Sequence, residues 1–132
     1  MRRERTIDEV ACQIREALSN DGQGEATARR LAFSFVEEFD RAGASDRLAM
    51  VTERPMPTSD PRYDALLAGL VEHLCARWEV AIPAWVEDPE RFIVPWWFVS
   101  GLKRLHAAAL AESPISLARR GVFLTANALS YA

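Results

Sequence analysis

The stretch DPRYDALLAGLVEHLCARW, residues 60–78, decides the fold. Asp60 followed by Pro61 marks a helix start. The carboxylate accepts a free backbone N–H of the first turn, and proline's fixed φ suits a position whose own N–H needs no partner. Beyond it, Tyr63, Leu66, Leu67, Leu70, Val71, Leu74 and Trp78 recur at spacings of three and four. A stripe this broad predicts the central helix of the fold, with Pro83 as its stop.

The segments before it carry the same grammar. Thr6 with Glu9 three residues later is a capping-box pattern, and Ile7, Val10, Ile14 and Leu18 follow as an amphipathic stripe that ends at Asn20, Asp21 and Gly22. A second helix is expected from Glu25 to Ala42, with Leu31, Phe35 and Phe39 spaced by four, Ala32 and Val36 beside them, and Gly43 as the stop. Ser45 is expected to cap a short helical turn carrying Leu48, Ala49 and Val51. The proline-rich connection TERPMPTSDP joins two parts of one core, and its 53–61 portion is the nearest thing to an internal boundary.

After the central helix the pattern is less regular. Pro83, Pro89 and Pro95 break the segment 83–100, while Trp85, Phe92, Ile93, Trp96, Trp97, Phe98 and Val99 supply large apolar surface. No polar–apolar alternation supports a strand there, so turns and short helical pieces are expected, with Pro95 setting a bend. Ser100 is expected to cap a helix carrying Leu102, Leu105, Ala109 and Leu110. Ser113-Pro114 predicts a further short helix to Arg120, stopped by Gly121. The tail holds either a short strand or a helical turn after Thr125. The expected fold is mainly α: a single compact bundle of five or six helices over residues 1–132, with an irregular Pro/Trp-rich segment.

Composition bounds the function. The 132 residues are 49% hydrophobic and 27% charged, which is globular rather than disordered. No apolar run approaches the ~20 residues of a membrane span, and the charged start MRRERTIDEV is no secretory signal, so a cytoplasmic protein is expected. Cys12 and Cys75 lie in apolar helical patterns and are expected as reduced core thiols. The net charge of −3 is uneven: residues 1–90 hold eleven basic against eighteen acidic side chains, whereas residues 91–132 hold five against Glu112 alone.

Catalytic and ligand signatures are not found. His73 and His106 are the only histidines, too few for a zinc site built from neighbouring His and Cys. No GxSxG elbow occurs, and GQGE at Gly22 lacks the spacing and lysine of a phosphate loop. No catalytic residue, cofactor or metal is therefore expected. Two binding classes remain. Lys103, Arg104, Arg119 and Arg120 near aromatic side chains suit nucleic acid, against an acidic whole with pI ≈ 5.4. Trp, Phe and Arg also dominate protein interfaces, and Trp96, Trp97 and Phe98 cannot all face one core. Self-association stays open.

The C-terminal half, residues 70–124, resembles a family of small actinobacterial helical proteins. The resemblance is carried by Trp85 in PAW, by Trp97-Phe98, by Ser113-Pro114, and by the Arg119-Arg120-Gly121-Val122-Phe123 ending. Some members of that family look like the antitoxin or regulatory partner of a nucleotidyltransferase-like toxin. The resemblance thus implies a non-enzymatic, protein-binding regulatory protein, with a DNA-binding regulator as the alternative and a small enzyme without a recognisable motif third. On the protein-binding reading, Trp96, Trp97, Lys103, Arg104, Arg119 and Arg120 would contact the partner.

Overall fold

Six α-helices, found among the described residues of a computed structural model, account for most of the regular structure: α1 (Ile7–Leu18), α2 (Gly24–Arg41), α3 (Ala44–Val51), α4 (Pro61–Arg77), α5 (His106–Glu112) and α6 (Ile115–Ala118). The described residues are 4–20, 22, 24–94, 96–100 and 102–129, and of residue 127 only the backbone. The expected stop at Asp21 and bend at Pro95 lie outside them.

α4 is the centre, as its stripe predicts. Asp60 caps it by accepting from the Arg62 N–H at 3.0 Å, and Pro61 takes the first position. Burial extends past the stripe to Ala65, Ala68, Gly69 and Cys75, so α4 is covered on nearly all sides. α1 and α2 pack on one flank and α6 on another. Gly69 leaves room for α6: a Cβ there would lie 2.4 Å from Leu117 Cδ2. The helix ends at Arg77, before the expected Pro83, because Glu79 adopts φ 56° and lets the Val80 N–H close back on the Cys75 carbonyl at 2.8 Å. Trp78 falls at the helix end and is 38% exposed instead of buried in the stripe.

α1 has the full capping box, with Thr6 and Glu9 each accepting the other's backbone N–H, and it buries Ile7, Val10 and Ile14. Arg5 then ties the start of the chain to α2 through Glu38 and Ser34. Two local expectations are corrected. Gly43, not Ser45, precedes α3, and α3 buries Met50 and Val51 while Leu48 and Ala49 face outward. Cys12 lies on the exposed side of α1, its Sγ 3.0 Å from Met56 Sδ, and only Cys75 is a core thiol. The connection at 53–61 is fastened to the core: Thr58 is fully buried and bonded to Asp64, the Met56 N–H donates to Asp8, and the Pro55 carbonyl accepts from buried Arg91.

After α4 come two 3-10 turns, Ala84–Glu87 and Pro89–Arg91, then a two-residue strand β1 (Trp97–Phe98). β1 pairs in parallel with β2 (Val122–Phe123), Trp97 beside Val122 and Phe98 beside Phe123. A 3-10 turn at Ala126–Leu129 follows, so the tail holds both of the structures expected as alternatives. The two 3-10 turns are the short helical pieces expected here, and the strand at 97–98 is the one departure, since no strand is expected there. Both residues of β1 are apolar and half-buried, and two residues are too few for an alternation to show.

The helix expected from Ser100 begins at His106, preceded by a 3-10 turn, Lys103–Leu105. Leu102 and Leu110 are half exposed, and Ala109 is the residue α5 buries. Ser113 does not cap α6; it closes the end of α5, where its N–H and hydroxyl both donate to the Ala109 carbonyl. Its hydroxyl accepts the Leu124 N–H at 2.9 Å and lies 3.0 Å from the Leu124 carbonyl, stitching α5 to the end of β2.

Candidate functional site

The β1–β2 pair sorts the three consecutive aromatics. Adjacent side chains on a strand point to opposite faces. Trp97 turns inward, its ring meeting Tyr63 edge-on at 5.0 Å with the Arg62 guanidinium 5.0 Å from its centre. Phe98 takes the other face, where it stacks on Phe123 at 5.3 Å and on the His106 imidazole at 3.9 Å. Trp96, two residues before Phe98, packs on the same Phe123 at 4.9 Å. Trp96, Phe123, Phe98 and His106 form one continuous aromatic row, buried in the middle at Phe123.

The two ends of that row reach solvent. Trp96 is 62% exposed and its neighbour Val94 is 94% exposed. Leu102, Leu110 and Ile115 in the following elements are exposed as well. Single exposed apolar side chains are ordinary, but a tryptophan braced from beneath by a buried ring keeps its surface at little entropic cost. Gly121 is required for this arrangement. It has φ 82°, and a Cβ there would lie 2.6 Å from the Ile93 carbonyl oxygen. Around it the Ile93 N–H bonds to the Arg120 carbonyl, the Trp97 N–H to the Gly121 carbonyl and the Val99 N–H to the Phe123 carbonyl, laying Ile93 and Trp97–Val99 along the Arg120–Phe123 ending.

The basic residues divide sharply. Arg120 has no exposed surface. Its guanidinium donates to Glu72 at 2.5 Å, to the Ser116 carbonyl at 2.6 Å and to the Val86 carbonyl at 2.7 Å, and it lies over Phe92. Arg119 is paired with Glu72 and Glu87. Both arginines therefore hold α6 against α4 and the Ala84–Glu87 turn. Arg120 is withdrawn from partner contact by its burial, and Arg119 is spent on two carboxylates. Arg91 is buried too, donating to the Pro55 and Asp64 carbonyls over the Trp85 ring. Asp88 Oδ2 is ion-paired with Arg54 at 2.9 Å and stands 3.8 Å from buried Arg91 Nε, which has no hydrogen bond. Of the five C-terminal cations, Lys103, Arg104 and Arg119 are exposed, and of these Lys103 and Arg104 have no ion pair among the described residues.

Burial pushes the Arg120 guanidinium pKa down despite Glu72. At Glu72, burial pushes the carboxyl up, but hydrogen bonds from Arg119 and Arg120 outweigh it and hold the group below its ordinary value of 4.5. Burial, helped by the charge of Arg77, pushes the His73 imidazole down. Among the described residues no cluster of three His, Cys, Asp or Glu could hold a metal ion. No helix described is long and apolar enough to cross a membrane.

One small cleft opens beside the aromatic row, between α2, α5 and the end of β2. It is lined by Phe98, Val99, Leu105, Ala109, Phe123, Leu124 and Ala128, with Arg29, Ser100, His106 and Thr125 as its polar members. Nothing in the local pattern points to Arg29, which comes from α2, 69 positions before Phe98. Comparison with protein-family models, with curated proteins and with solved structures finds no match to this chain.

Proposed function

We propose that this chain is a non-enzymatic regulatory protein that binds a partner protein through the edge headed by Trp96. The observation that carries the reading is the exposure of Trp96 on top of buried Phe123, next to Val94. A large rigid side chain held in its bound shape before binding is what interface anchors share. Lys103 and Arg104 add unpaired positive charge along the same segment and steer an acidic partner. The resemblance of residues 70–124 to antitoxin-like proteins makes a toxin encoded beside this gene the first candidate partner.

Contact of the C-terminal segment with nucleic acid has less support than the sequence suggests, because Lys103 and Arg104, its cations without an ion pair among the described residues, neutralise about two phosphates and give a salt slope of only about −2. The docking reading is tested by co-expression with the products of the adjacent genes, followed by titration of the purified pair. Trp96→Ala should weaken the complex by about 2–4 kcal/mol while leaving the fold intact. Trp97→Ala should instead lower the stability of the free protein, because its ring packs on Tyr63. A complex indifferent to Trp96→Ala would refute the proposed edge.

A further inference from the structure

We infer that the cleft beside Phe98 is the specificity pocket of this edge, admitting one branched aliphatic side chain of an acidic partner segment. The inference rests on the docking reading above and adds what the partner must carry. The cleft has a volume of about 100 Å³, against roughly 300–1,000 Å³ for sites that hold drug-sized ligands or cofactors. At ~30 Å³ per water of liquid volume it holds about three or four non-hydrogen atoms. That is the size of a valine or leucine side chain. An enclosed cavity of about 150 Å³ is what benzene occupies, so a phenyl or indole ring would not seat fully in the cleft.

The lining has two kinds of member. Val99, Ala109, Phe123 and Leu124 are buried and apolar, and they supply the interior. Arg29, Ser100, His106 and Thr125 also reach solvent and supply the polar mouth. No carboxylate is among the described lining residues. Glu112 is the sole acidic residue between positions 94 and 129, and its Oε1 is occupied by the Ala126 N–H at 2.8 Å. Exposed Lys103 and Arg104 immediately precede Leu105 and His106 of the cleft. An arriving segment therefore meets an apolar hole inside a positive mouth. Charge complementarity selects acidic residues, and the volume selects the aliphatic anchor between them. The aromatic row joins the two contacts, since His106 and Phe98 border the cleft and Phe123 braces Trp96.

The test titrates the full chain with short acidic peptides identical except for one central residue: alanine, leucine or tryptophan. The leucine peptide should bind on the order of 30-fold more tightly than the alanine peptide, from the methylenes buried, and the tryptophan peptide should gain nothing through the cleft. Ala109→Leu fills the cleft and should erase the leucine preference. Because that change crowds a buried position, Ala128→Leu on the half-exposed final turn serves as a second filling variant, both checked by circular dichroism. Equal binding of all three acidic peptides, abolished by Trp96→Ala, overturns the pocket and leaves the docking edge standing. A leucine preference that survives both filling variants also overturns it. Equal binding of a peptide with lysines in place of the acids overturns the charge selection. Failure of every peptide together with failure of every adjacent-gene partner overturns the docking edge and the pocket with it.

Discussion

Replacing Glu72 with glutamine should destabilise this protein by about 3 kcal/mol, the lower end of the cost of breaking a buried ion pair on one side. The size follows from what each arginine retains. Arg119 keeps Glu87 and is one-third exposed, so its loss is that of a surface pair, at most about 1 kcal/mol. Arg120 is wholly buried. It keeps the Ser116 and Val86 carbonyls and the Phe92 ring but loses the carboxylate it contacts, and its Nε is already without a partner. The glutamine carbonyl still accepts one hydrogen bond, which keeps the cost below that of an apolar replacement. For a chain of this length about 3 kcal/mol lowers Tm by roughly 10 °C.

Thermal melts of Glu72→Gln and Arg119→Gln side by side provide the assay, with the second variant expected within about 4 °C of the parent. The pH dependence gives an independent check. Because the Glu72 carboxyl is held below its ordinary value, its contribution is present above that value and is lost as pH falls through the folded pKa. The parent should therefore lose Tm below about pH 4.5 more steeply than Glu72→Gln does. A Glu72→Gln protein that melts within about 3 °C of the parent would refute the view that Arg120 needs this charge.

Three further outcomes follow from local geometry. Gly121→Ala should cost at least about 2 kcal/mol, because it combines a left-handed backbone with a Cβ 2.6 Å from the Ile93 carbonyl; urea melts measure it, and a neutral result would mean that the 93–99 segment shifts freely. Glu79→Gly should change stability in the opposite sense, raising it by up to about 1 kcal/mol as the strain at φ 56° is relieved; a loss in the same melts would contradict this. A thiol reagent at neutral pH should modify Cys12 rapidly and Cys75 only on unfolding, since Cys75 is fully buried and burial pushes its thiol up to about 11; fast labelling of both would show that α4 is not sealed.

The parts of the fold legible in the sequence are those fixed by contacts within one turn. The Thr6–Glu9 box and the Asp60-Pro61 start act over two or three residues, so their side chains announce them directly. The stripe on α4 is legible for a related reason, since helical period is a property of one segment. What failed was every case in which a distant partner decides. Ser100 and Ser113 have the residue type of caps, yet Ser113 is engaged by Leu124, eleven positions away. Cys12 fits the apolar pattern of α1 but sits on its outer side, opposite Met56. Trp97-Phe98 forms a strand because Val122-Phe123 comes alongside, and nothing in PWWFVS encodes that pairing.

The same distinction governs the candidate site, where counting charge misled more than reading shape. The sequence places five cations against one carboxylate after residue 90, which suggests a positive surface. Folding consumes three of them. Arg91, Arg119 and Arg120 each find carbonyls or carboxylates contributed from earlier in the chain, at Pro55, Asp64, Glu72 and Val86. The acidic excess of the first ninety residues is thus partly the internal counter-charge of the C-terminal arginines, and formal charge overstates what a partner can reach. Desolvating a guanidinium is costly unless its donors are occupied, so an arginine near the core is drawn to such acceptors before it is available outside. Trp96 escapes this accounting. Its side chain has no such acceptors to satisfy, its inward neighbour already fills the space beside Tyr63, and the strand's alternation turns it the other way. The exposed tryptophan follows from the pairing of β1 with β2, and the edge it heads persists only while Gly121 keeps that pairing in place.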